Sequence, residues 1–208
     1  MATNWIWYVI VAVVAIGYAY WRWHGYQARR SAIRKFAADR GWTYTEHEPA
    51  LLSRCHGRPF GGYGERRRAW HAVTGRRHNL DVLSFEYSEV VGNLGRARRF
   101  WQQFTGVRLP FPSHELFAVR RHNFSHLARG LGFLHADTPD DTFDQDWFTS
   151  GSFTPELKQW VQQHRRPFRV AAGVLETWEH GRFLPERVEP AVADLAELVP
   201  LVNAVAGR

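Results

Sequence analysis

The chain has 208 residues, with 27 Lys+Arg against 20 Asp+Glu and a formal net charge of +7 at pH 7. Most of that charge is local: six basic side chains and one acid lie between residues 22 and 40, leaving only +2 on residues 41–208, too little for a surface built to neutralise nucleic-acid phosphates. A single cysteine, Cys55, excludes an intrachain disulfide framework, and the length supports one domain with a real core.

The first element is MATNWIWYVIVAVVAIGYAYWRWHGY, with no formal side-chain charge before Arg22. Residues 5–21 are apolar or aromatic, and as a helix they span about 25 Å, close to the hydrocarbon thickness of a bilayer. A secretory signal would carry its positive charge ahead of the apolar run and end in small residues; here the charge follows and the exit is aromatic. Trp5, Trp7 and Tyr8 at one end and Tyr18, Tyr20, Trp21 and Trp23 at the other are placed as two interfacial belts. A transmembrane anchor over 1–24 is therefore expected, with a buried core helix as the alternative. The basic residues follow the run, which puts the N-terminus outside and the rest in the cytoplasm, at the inner membrane. Residues 25–41 read as a basic juxtamembrane helix closed by Gly41, in which Arg29, Arg30, Arg34 and Lys35, with Arg22, are the expected contacts to anionic lipid headgroups.

Residues 42–208 read as an α+β domain with an antiparallel sheet and packed helices. Strands are expected at 42–46, at 68–73 and 79–87 around a Thr74-Gly75-Arg76-Arg77 turn, at 100–109, at 116–120 and at 168–178. A short helix is expected at 124–131, and another after Thr154-Pro155-Glu156, where an N-cap, a first-turn proline and an acid stand in order. The final stretch, EPAVADLAELVPLVNAV, repeats apolar residues at helical spacing, with Pro200 expected to kink or interrupt it.

Candidate chemistry is sparse. The glycine-dense stretch 57–66 lacks the Lys-Ser/Thr of a nucleotide loop and leads into a strand rather than a helix. His122 and His126 are four apart, but Asn123 resembles an N-cap that would put His122 outside the helix, and no glutamate stands where a zinc hydrolase needs its base. Cys55 and His56 are adjacent and point apart on an extended chain. The acids at 137, 140, 141, 144 and 146 match no calcium loop and read as a polar loop leading into the FDQDWF segment, whose aromatics anchor it. No metal or cofactor is implied. Residues 54–129 nonetheless hold 14 arginines against five acids, and Arg66, Arg68, His71, His78 and Arg120 are the candidate surface for an anionic ligand or a partner.

The order of these pieces, a short span, a basic helix, GRPFGGYGERRRAWHAVTGRRHNLDVLSFEY, RLPFPSHELFAV, FDQDWF and FTPEL, resembles an uncharacterised family of membrane-anchored bacterial proteins. The resemblance implies an α+β cytoplasmic domain and no known activity. The expected function is that of a non-enzymatic accessory or scaffold module, with membrane lipid and a protein partner, in a membrane complex or a homo-oligomer, and no nucleic acid. The alternative is a tethered enzyme or small-ligand sensor, which would need the five Arg/His side chains to converge on one cavity.

Overall fold

In the computed structural model, residues 4–55, 65–91, 97–111, 113–120, 143 and 146–206 are described. A single helix, α1 (Asn4–Asp39), runs through both the expected anchor and the expected juxtamembrane helix. It ends where the sequence places its stop: Gly41 is left-handed (φ +66°), and Trp42 N–H donates 2.8 Å to the Ala37 carbonyl as the chain turns back.

Eight strands follow, β1 (Thr43–His47), β2 (Glu65–Arg77), β3 (Leu80–Val91), β4 (Arg98–Arg108), β5 (Leu116–Arg120), β6 (Trp147–Ser150), β7 (Phe168–Ala171) and β8 (Val174–His180). They form one antiparallel sheet in the order β1-β2-β3-β4-β8-β7-β5-β6. One face packs on the C-terminal half of α1, on α2 (Pro155–His164) and on α3 (Val188–Ala206), burying Ile33, Val82, Val107, Leu157, Leu195 and Leu198. The other face carries Phe85, Tyr87, Phe104 and Trp178 under the short 3₁₀ segment Pro49–Cys55. Thr154 caps α2 as expected, its side chain accepting 3.3 Å from Leu157 N–H. Gly75 is required by packing: a Cβ there would come within 2.2 Å of the Trp42 ring.

Several boundaries differ from the sequence reading. The β2–β3 turn is not at 74–77 but at His78-Asn79, both left-handed (φ +50° and +61°), the conformation that a two-residue hairpin needs. The turn-like Thr74–Arg77 stretch stays in β2 because β3 pairs with it through Arg77↔Leu80. The single strand expected at 168–178 is a hairpin of β7 and β8, turning at Ala172-Gly173 (φ +50° and +73°). Pro200 does not interrupt α3, which continues to Ala206. The FDQDWF segment is anchored through buried Phe143 and Trp147, their rings 6.3 Å apart, and its end forms β6, a strand that the sequence pattern does not predict. The expected helix at 124–131, His122, His126, His56 and the acids at 137, 140, 141 and 144 lie outside the described residues.

The expected transmembrane anchor does not gain support: among the described residues no helix is long and apolar enough to cross a membrane. The physical reason is the composition of the run. Its purely aliphatic part, VIVAVVAIG at 9–17, is about 13 Å long, and the Trp and Tyr residues around it carry polar edges.

Candidate functional site

The two halves of α1 meet different surroundings. From Trp7 to Gly25 every side chain is exposed, including Tyr8, Val9, Ile10, Val11, Val13, Val14 and Ile16. From Tyr26 onward the helix lies on the sheet, antiparallel to β1: Tyr26 and Arg30 meet Glu46, and one turn beyond Arg30 the Arg34 guanidinium sits 5.4 Å from the Tyr44 ring. Ile33 and Ala37 are buried beneath.

At the centre of this junction is Glu86 of β3, 1% exposed. Its carboxylate takes the Arg29 guanidinium of α1, accepts 2.7 Å from Phe183 N–H, and has the Arg182 guanidinium at 3.5 Å. A carboxylate this deep is tolerable only with such partners, and removing one from a buried pair costs several kcal/mol. Burial, and then the like charge of Arg182, pushes Arg29 down to about 10, so it stays cationic at neutral pH. Tyr26 donates 2.7 Å to Glu46, and Arg30 pairs with the same carboxylate.

His71 completes the junction. The β2 register shifts between Trp70 and Val73, and His71 stands in that bulge with φ +52°. A left-handed histidine costs of order 1 kcal/mol, and the bulge turns the ring toward α1. There it shares a 2.8 Å hydrogen bond between Nδ1 and the Tyr44 hydroxyl and lies 5.9 Å from the Tyr26 ring. Burial, and then the neighbouring Arg29, pushes its pKa down to about 4, so it is neutral here.

The expected sites are redistributed accordingly. Of the five cations assigned to lipid, Arg29 and Arg30 are held by Glu86 and Glu46 and Arg34 lies on Tyr44, while Arg22 and Lys35 are exposed. Trp7, Tyr8, Tyr18, Tyr20, Trp21 and Trp23 stand exposed on the free half of α1, as does Trp5. Arg66, Arg68, His71, His78 and Arg120 do not converge. Arg66 and Arg68 lie at one end of β2, His78 in the turn at its far end roughly 30 Å away, and Arg120 on β5, five strands across. His71 alone is buried.

A groove of about 590 Å³ opens on the other side of the hairpin, lined by Thr45, Leu51, Leu83 and Val174 with Glu48, Asp81, Arg54 and Arg108. Its charges balance, and it contains none of the five candidates. Cys55 is buried, and burial followed by the nearby Glu176 pushes its thiol well up, so it carries no thiolate at neutral pH. Glu176 is itself tied to Arg169, whose Nε donates at 2.8 Å. Among the described residues no group of three or more His, Cys, Asp or Glu side chains is placed to hold a metal ion.

Sequence reasoning missed Glu86 and Arg182. A signal was present: Val82, Ser84, Glu86 and Ser88 alternate with Leu83, Phe85 and Tyr87, so one face of β3 turns polar toward its end. No family model, curated protein or solved structure matches the chain.

Proposed function

We propose that the protein is a membrane-attached, non-enzymatic interaction module, held at the cytoplasmic face of the inner membrane by the free half of α1. The observation that supports this is the exposure of an apolar helix on all its sides. Such a helix belongs in lipid or inside a larger protein body, and it lacks the polar face that an in-plane amphipathic helix leaves in the headgroups. Of these two we take lipid, with the free half inserted end-on. Because its aliphatic part is short, the Trp and Tyr belts take the headgroup depth at each end and the bilayer thins locally around the single pass. The positive residues follow the run, which favours an outside N-terminus.

The scaffold reading draws on the dispersal of the Arg/His candidates, because a ligand site needs convergent groups. The test is extraction of the full chain from membranes. Retention through alkaline carbonate and high salt is expected, with the domain spared when protease is added to intact spheroplasts. Release by alkaline washing would refute attachment, and digestion from outside would reverse the topology.

A further inference from the structure

The docked half of α1 fixes which end of the domain faces the free half. Because α1 runs antiparallel to β1, its N-terminal half leaves the domain past the end of the sheet that holds the start of β4, the end of β8 and the turn after it. Arg22 lies seven residues before Arg29, about 10 Å up the helix axis. Arg99 lies four residues before Gln103, the β4 partner of Glu86, about 13 Å along the strand. Arg22 and Arg99 therefore stand at nearly the same height above the Arg29–Glu86 pair, just below the apolar run.

Between them is a built cluster. Gly181 N–H donates 2.9 Å to the Trp101 carbonyl and locks the turn onto β4. The Arg182 guanidinium lies 3.3 Å from the centre of the Trp101 ring, and Arg99 approaches the same ring at 5.7 Å while donating 3.2 Å to Ser88. Arg22 rests over Tyr18 at 5.8 Å. Burial, then Arg22, then Arg99 hold the Arg182 guanidinium below its ordinary value. Arg182 reaches Glu86 only at 3.5 Å and shares that one carboxylate with Arg29 and Phe183 N–H, so a single negative charge is spread over two arginines and a backbone donor. Arg98, Arg66 and Arg68 are exposed at the same end of the sheet.

We infer that Arg22, Arg99 and Arg182, with Trp101, form a seat for the phosphate headgroup of an anionic phospholipid, so that the domain docks on the membrane by its sheet end. This rests on the membrane-attachment reading and refines it: the cations that meet lipid are those of the sheet end and the helix exit, not Arg29, Arg30, Arg34 and Lys35. Arg99 and Arg182, gathered on one tryptophan ring, favour an anion placed between them and Arg22; their planar forks match phosphate oxygens, and a tryptophan edge suits headgroup depth. Charge complementarity and continuity with the apolar helix select lipid over a soluble acidic partner.

The full chain, carrying a fluorophore at Phe100→Cys, exposed at the same end of the sheet, is reconstituted into nanodiscs doped with headgroup-nitroxide lipid, either of phosphatidylcholine alone or with added phosphatidylglycerol. Cys55 is buried, which leaves the introduced thiol as the reactive one. Quenching is expected to rise with phosphatidylglycerol and to fall with salt. Each arginine near acidic headgroups contributes roughly a fivefold factor, so Arg22→Gln/Arg99→Gln should lower the docked-to-undocked ratio roughly 25-fold, while Arg34→Gln/Lys35→Gln leaves it unchanged. Arg182→Gln should act alike and is read only if its circular dichroism matches the parent. Neither Arg22 nor Arg99 touches Glu86, so their double variant tests the seat without loosening the junction. Failure of the parent to enter phosphatidylcholine discs would refute attachment itself. Entry with quenching indifferent to phosphatidylglycerol, or a double variant equal to the parent, would overturn the seat alone.

Discussion

The two halves of α1 are one continuous helix with opposite relations to their surroundings. The C-terminal half has a face of Tyr26, Ile33 and Ala37 that the sheet covers and a set of arginines that the sheet neutralises. The N-terminal half has no polar face and nothing in the described structure lies over it. The difference teaches that one continuous helix can be covered by the sheet over one half and exposed over the other, and that positive charge begins close to where the covering begins, with Arg22 as the first cation. It also shows that a basic stretch beside an apolar run need not be a lipid contact, since carboxylates from strands far along the chain claim Arg29 and Arg30.

The sharpest break of this contrast is at Glu86. Glu86→Ala leaves Arg29 and Phe183 N–H without their acceptor and should cost about 3–5 kcal/mol of domain stability, read from the urea midpoint of the detergent-solubilised full chain. Glu86→Ala/Arg29→Met should recover part of that loss, because the orphaned charge goes with it. A loss below about 1 kcal/mol would mean that the docked half does not depend on the ion pair.

Next in size is a pH effect centred on His71. Its folded pKa of about 4 lies below the ordinary value of 6.5, so between these two the unfolded chain binds the extra proton and stability rises with pH. The contribution is fully present above about pH 6.5 and is lost as pH falls toward 4, by about 3 kcal/mol. Burial and Arg29 oppose protonation, as do Arg182 and Arg30 across the junction, while Glu46 favours it. Urea midpoints between pH 7 and pH 4 should therefore drop more steeply in the parent than in His71→Gln. Equal slopes would refute the assignment.

Smaller effects separate the two halves directly. Ile33→Val, in the docked half, should cost about 1 kcal/mol by removing one buried methylene. Val13→Ala and Ile16→Ala, in the free half, should each change domain stability by less than about 0.5 kcal/mol yet increase the fraction released by alkaline washing. Domain destabilisation by the free-half changes would show that this segment packs on the protein after all.

Much of the fold was legible because its signals are local. The Thr154-Pro155-Glu156 cap, the Gly41 stop, the apolar spacing of α3 and the strands at 42–46, 100–109 and 116–120 each rest on residues close in sequence, and each appears within a residue or two of its expected place. The hairpin turns were not legible to the same degree, because His78-Asn79 and Ala172-Gly173 become left-handed through the register their strands adopt, while Thr74-Gly75 looked equally turn-like.

By itself the sequence determined the α+β class, the extent of the uncharged run and the place where positive charge begins, since these depend on composition and on neighbours along the chain. Only the tertiary structure decided which cations are consumed and which remain. Glu86 is 57 residues from Arg29 and 97 from Phe183, and Arg99 and Arg182 meet on the Trp101 ring only because β4 and the turn after β8 are brought together. Coulomb energy depends on separation in space, and no pattern along the chain encodes that distance.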